Sequence, residues 1–317
     1  MTLVAFVVAA ALVQAAPGGP DGDVRAETYR RFGLDPASPL ASRVGETPAS
    51  VLEMFAEPGT PAPTPHVLTM GERKQLSQAL DALTPLQRRV LGDRLRRLSF
   101  LDGMPNTALT STVNPDGDFR LYDITFRASI FRQNMSEWLT EKERTCYDAA
   151  GSTLEVSVEA GALPAIVGAL LHEATHIVDS SLRITPALAS KGQPAGDPAS
   201  SAFTRGVWAD SATPVARYRN PLLESVRFRP GGRVLPIAHA QAVYEALGRT
   251  PLASLYGSRN WSDDLAEYVE LYELTQTLHQ PYRVMIRKGA EKVFDCESMK
   301  SSLVLGRAAQ LKDILAR

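Results

Sequence analysis

One apolar segment with the pattern H-E-x-x-H set inside it constrains this chain most. From Pro164 to Leu182 the sequence reads PAIVGALLHEATHIVDSSL. Pro164 suits the first position of a helix, and the run that follows is apolar nearly all round, so the helix is expected to be buried. His172 and His176 stand four residues apart and therefore on one helical face, where two imidazoles can bind one metal ion. Glu173 then lies beside the open side of that ion. A helix buried for packing alone would need a separate hydrogen-bond partner for each of these three side chains.

The surroundings fit this reading. Ser152 to Glu159 (STLEVSVE) alternates Leu154, Val156 and Val158 with polar residues, the pattern of a half-buried strand, and Gly161-Ala162 turns the chain into the helix. Upstream, Gly71–Leu83 and Pro85–Leu98 are expected as amphipathic helices, with Thr84 capping the second. Arg88, Arg89, Arg94, Arg96 and Arg97 give that second helix a solvated basic face. Phe119–Phe131 reads as a strand and Ser136–Tyr147 as a short helix. Downstream, Ile237–Leu247 and Ser262–Leu278 read as helices, Tyr282–Asp295 as a hairpin turning near Lys288-Gly289, and Glu297–Leu315 as a closing helix. The long polar stretch Lys191–Asn220 is expected to cover a binding site. The fold class is α+β, with a small sheet packed on a buried helix and further helices after it.

Two histidines leave a metal under-coordinated, since catalytic zinc usually takes three protein ligands. His66, His239 and His279 have no flanking pattern that nominates them. A carboxylate is the better candidate. Asn260 to Glu270 (NWSDDLAEYVE) begins a helix for which Ser262 is the expected N-cap, and Asp263 and Glu267 share one face. One can bind the metal while the other hydrogen-bonds a ligand histidine.

These motifs resemble those of the gluzincin metallopeptidases, in which H-E-x-x-H is followed by a helix carrying an acidic ligand. The similarity is closest to the peptidases related to the catalytic domain of anthrax lethal factor. It rests on His172–His176 with Asp179 three residues on, on the acidic helix, and on Tyr256-Gly257, with Tyr256 seven residues before Asp263. It covers at most residues 150–280. The resemblance implies a zincin-like fold, Zn2+ as cofactor, Asp263 as third ligand, Glu267 behind a ligand histidine, and Tyr256 aimed at the reacting oxyanion. The family ligand is Glu, and Asp263 is one methylene shorter, which leaves Glu267 as the alternative ligand. Asp179, one turn below His176, is a candidate for a supporting hydrogen bond.

The function implied is zinc-dependent hydrolysis of a peptide or protein substrate with Glu173 as general base. The alternative is a zincin-fold protein of little or no activity that binds zinc and a protein partner. The net charge of −1 gives no electrostatic case for nucleic acid, and no apolar stretch is long enough to span a bilayer. Residues 1–16 resemble a signal peptide, although no Lys or Arg precedes the apolar run, and export would permit a Cys146–Cys296 disulfide. Residues 17–66, rich in Pro and Gly, are expected to be mobile with little packed core. The metallopeptidase-like domain is expected over 67–317, with a helical N-terminal part.

Overall fold

The computed structural model of the chain describes residues 20–55, 61–189 and 193–315. The expected signal segment, 1–16, lies outside the described residues. The architecture is α+β. Helices α1 (Pro20–Phe32), α2 (Ala49–Met54), α3 (Met70–Ala82) and α4 (Pro85–Arg94) come first, with strand β1 (Thr64–Pro65) before α3. Strands β2 (Leu95–Asp102), β3 (Ala108–Thr112) and β4 (Tyr122–Arg127) complete a sheet of order β1-β2-β4-β3. In it β2 and β4 run parallel while β3 returns antiparallel to β4. After α5 (Met135–Arg144), the short strand β5 (Tyr147–Asp148) and β6 (Leu154–Glu159), the chain enters α6 (Ile166–Leu182). Then come α7 (Pro221–Glu224), β7 (Leu235–Pro236), α8 (Ala240–Leu247), α9 (Trp261–Tyr272), the hairpin β8 (Arg283–Lys288) and β9 (Glu291–Cys296), which joins β6 in a three-stranded antiparallel sheet, and the short helices α10 (Ser302–Leu305) and α11 (Lys312–Leu315).

Helix α6 is the centre of the molecule. Its residues from Ile166 to Leu171 are all buried, as are Ala174, Ile177 and Val178. It packs on α3 and α4 on one side and on α9 on the other, with β3 beside it. Gln87 of α4 ties the layers by donating to the Leu171 carbonyl and to Thr175 Oγ1, each at 3.0 Å. Thr84 caps α4 with a reciprocal capping box to Gln87, and Pro85 fills the first helical position.

Several expectations are corrected. The helix expected over Pro85–Leu98 ends at Arg94, because Leu95–Asp102 pairs with β4. Ser99 and Thr125 share a 2.9 Å hydrogen bond across those strands, and Arg96 pairs with Asp123, so Arg96 and Arg97 belong to a strand and not to a basic helical face. The strand expected over Phe119–Phe131 is confined to Tyr122–Arg127 and runs on into a 3-10 turn, Ala128–Arg132. The closing helix is broken into short turns around Gly306, because Arg307 is drawn into the core by Asp264. Cys146 and Cys296 are free thiols, the first buried and the second half-buried, so no disulfide links them.

The described part of 17–66 is not without a core. Val51 and Leu34 are buried. Arg43, only 6% exposed, donates from Nη1 to the Leu91 and Leu95 carbonyls at the C-terminal end of α4 and from Nη2 to the Ser38 carbonyl. The unpaired carbonyls and negative dipole end of α4 explain why a buried guanidinium is tolerated there.

Candidate metal centre

His172 and His176 turn their Nε2 atoms toward each other, 3.1 Å apart, on the face of α6 that meets the start of α9. Asp263 Oδ1 lies 3.6 Å from His176 Nε2 and 3.9 Å from His172 Nε2. Tetrahedral bonds of about 2.0–2.1 Å imply ligand–ligand separations of roughly 3.3 Å. The three atoms are therefore spaced as a metal-binding triad, and these side chains could hold a metal ion.

The N-terminus of α9 sets Asp263 in place. Asn260, not Ser262, is the N-cap, and its Oδ1 accepts from the backbone N–H groups of Ser262 and Asp263. Asn260 Nδ2 also donates to Asp263 Oδ2 at 2.6 Å, and Arg259 Nη1 lies 3.5 Å from that same oxygen. With Oδ2 held in this way, Oδ1 faces the two imidazoles. Gly168 lies one turn before His172, and a Cβ there would fall 2.9 Å from Glu270 Oε1 of α9 and 2.6 Å from Met135 Cε.

Glu267 occupies the opposite side of the His172 ring. Its Oε1 is 3.1 Å from Nδ1, and Glu270 Oε2 is 3.3 Å from the same nitrogen. Glu267 also accepts from Lys142 Nζ at 2.5 Å and from Ser254 Oγ at 2.6 Å. The structure thus brings Asp263 to the Nε2 pair and Glu267 to Nδ1, where a carboxylate fixes the tautomer and orientation of a ligand imidazole. Burial disfavours a charged His172, but the facing Glu267 and Glu270 carboxylates overcome it and push its pKa up to about 10. Burial likewise opposes ionisation of Glu267, but the Lys142 ammonium and His172 hold it well below the usual carboxylate range. His176 moves down, through its own burial and then the adjacent His172 charge.

His176 is supported through Ser262. Its Nδ1 lies 3.3 Å from Ser262 Oγ, which donates to Asp179 Oδ2 at 3.2 Å. Asp179 is fixed in turn by the Thr185 N–H and hydroxyl, at 2.7 and 2.6 Å. Glu173 points from α6 toward β3, where Thr110 Oγ1 donates to its Oε2 at 2.6 Å. Tyr256 packs edge-on to the His172 ring, with centroids 5.8 Å apart, and its hydroxyl accepts from Arg259 Nη1 at 2.9 Å. Burial, then the Asp263 charge, raises the phenol to about 12, so it keeps its proton at neutral pH.

Glu173, Tyr256 and the triad all line one cleft of about 1260 Å³, roofed in part by Gly196, Ser200 and Ser201 from the polar stretch 191–220. One wall is β3, which pairs with β4 on one side and with no strand on the other among the described residues. Sequence reasoning missed Lys142, Thr110 and β3 altogether. Glu270 carried a legible signal, since it follows Asp263 and Glu267 at helical spacing on the same face. Lys142, 125 residues from its partner Glu267, carried none. His66 is a separate structural histidine between Asp102 and Glu72. Among the described residues no helix is long and apolar enough to cross a membrane. No protein-family model, curated protein or solved structure matches the chain.

Proposed function

We propose that this chain is a zinc-dependent peptidase of zincin type, with His172, His176 and Asp263 as metal ligands and Glu173 as general base. The observation that carries the proposal is the convergence of two Nε2 atoms and Asp263 Oδ1 within 3.1–3.9 Å of one another, beside Glu173, in a cleft. Two imidazoles and a carboxylate suit zinc, which accepts N and O ligands in a four-coordinate site with one position left open. Bound there, zinc supplies Lewis acidity, polarising a carbonyl and making water acidic enough to be activated near pH 7.

The chain's own residues then have distinct tasks. Glu173 takes the proton of the attacking water and returns it to the leaving amine. Thr110 holds that carboxylate by donating to Oε2. Tyr256 is kept neutral and accepts from Arg259, which leaves its own O–H free to donate to a developing oxyanion. The free edge of β3 offers backbone N–H and C=O groups to an extended peptide, which favours peptide over compact amide substrates.

The test is Glu173→Gln. Zinc-loaded wild-type protein should cleave a broad peptide mixture, and the variant should bind zinc equally while losing at least about a hundredfold in rate. Equal rates in the two proteins would remove Glu173 from the mechanism. A second reading, a zinc-binding protein that docks a partner without turnover, is favoured by Asp263 standing where the resembled family carries Glu. Absence of any cleavage by zinc-loaded wild type would select it.

A further inference from the structure

The cleft carries arginines that the chemistry above does not use. Arg120 and Arg183 both line it, both are exposed, and neither has an ion pair or side-chain hydrogen bond among the described residues. They emerge at the same end. Arg120 precedes Tyr122 by two residues, Arg183 follows Ser180 by three, and Tyr122 Oη and Ser180 Oγ are hydrogen-bonded at 2.7 Å. The nearest carboxylate on α6, Asp179, is buried and committed to Thr185 and Ser262. At the opposite end of the cleft Arg127 is already paired with Glu141.

Arg183 is also held at an unusual backbone position. It closes α6 at φ 55° and ψ 49°, the left-handed conformation in which glycine is the unstrained choice. Arg183 thus combines a strained backbone with a long cation that lines the cleft and has no protein partner among the described residues.

We infer that Arg120 and Arg183 form a subsite for an acidic side chain of the substrate, two or three residues from the scissile bond. This deepens the peptidase reading and rests on it. The register follows from β3. Thr110 lies beside Glu173 and so marks the level of the reacting carbonyl, whereas Thr112 pairs with Tyr122 at the arginine end. At about 3.4 Å per residue, a peptide extended along β3 reaches that end two to three residues from the bond. Guanidinium groups pair with carboxylates in a planar, often bidentate geometry, so Asp or Glu is the side chain selected there.

The experiment uses the zinc-loaded full chain with a peptide library read by mass spectrometry. Cleaved peptides should be enriched in Asp or Glu two or three residues from the cut, on one side. Substituting Arg120→Gln and Arg183→Gly should lower the ratio of kcat/KM for acidic over neutral peptides by about tenfold per arginine, and added salt should shrink the wild-type ratio. Arg183→Gly relieves the backbone strain, so its melting temperature should equal or exceed that of the parent. Loss of selectivity in a protein at least as stable separates a binding role from a folding defect. Cleavage with no acidic enrichment, or an unchanged ratio in the double variant, overturns the inference and leaves the peptidase reading standing. If nothing is cleaved, the peptidase reading fails, and fluorescence titration of zinc-loaded Glu173→Gln protein with matched Glu- and Gln-containing peptides decides the subsite. Tighter binding of the acidic peptide, abolished by the two arginine substitutions, supports it, and equal binding overturns it.

Discussion

At the scale of single residues, the candidate metal triad depends on groups outside it. Glu267 is the clearest case, because it neutralises Lys142 and fixes the His172 ring with one carboxylate. Glu267→Gln should leave a largely buried ammonium without its counter-charge and cost about 3 kcal/mol in denaturant unfolding. On the proposed zinc reading it should also weaken zinc affinity by roughly 10–100-fold, as loss of an orienting carboxylate does. A zinc titration with unchanged affinity would show that Glu270 alone suffices to hold Nδ1. A second residue-level expectation concerns pH. Burial works against a charged His66, but Asp102 and Glu72 outweigh it and raise its pKa above 6.5, while the Thr69 and His66 hydrogen bonds lower that of Glu72 below 4.5 in spite of its own burial. The raised His66 contributes stability below its unfolded pKa and loses it as pH rises through the folded value. The lowered Glu72 contributes above its unfolded pKa and loses it as pH falls through the folded value. The clamp should therefore contribute most between about 4.5 and 6.5. Unfolding of wild type and His66→Gln across pH checks this, and a difference that grows above pH 7 would contradict it.

At the scale of elements, the site depends on how α9 is held against α6. Arg307, 3% exposed, donates from both Nη atoms to the buried carboxylate of Asp264, the neighbour of Asp263, while Trp208 Nε1 donates to the same group. Arg307→Met should strand that charge and destabilise the protein by about 3–5 kcal/mol, and adding Asp264→Asn should recover part of the loss. Gly168 of α6 faces the Glu270 carboxylate of α9. Gly168→Val would press on the Met135 side chain and the Glu270 carboxylate, and should cost roughly 1–3 kcal/mol by overpacking. Thermal melts of the variant beside the parent check this, and an unchanged melting temperature would show that Met135 and Glu270 move aside freely. The interior of α6, the cap of α4 and the β8–β9 hairpin were all readable as patterns, because burial and turn chemistry set them locally. Strand β2 was not, since Leu95–Leu98 reads as the end of a helix and becomes a strand only by pairing with β4.

At the scale of the whole molecule, the segment before β1 behaves as part of the domain. Arg43 stitches it to the end of α4 through carbonyls that water would otherwise have to satisfy. Arg43→Ala should cost about 1.5–3 kcal/mol, the range for hydrogen bonds from a charged donor, and should make residues 20–55 susceptible to limited proteolysis before the remainder unfolds. Release of that segment from the wild type under native conditions would show instead that the packing is marginal. Pro and Gly content suggested a mobile arm here because composition reports local preference, whereas the contacts that fix the arm come from residues about fifty positions away.

The sequence alone determined the buried helix, the two imidazoles on one of its faces, the adjacent Glu173 and the acidic face of the later helix, because each follows from helical period and hydrophobic burial over a few turns. Which carboxylate faces which nitrogen was decided only by tertiary structure. The choice turns on the Asn260 cap that turns Asp263 Oδ1 inward and on Lys142, which draws Glu267 to the other side of His172. The same holds for the free edge of β3 and for the arrival of Arg120 and Arg183 on one cleft, which no local pattern encodes. They exist because strands and helices far apart in the chain meet around one cavity.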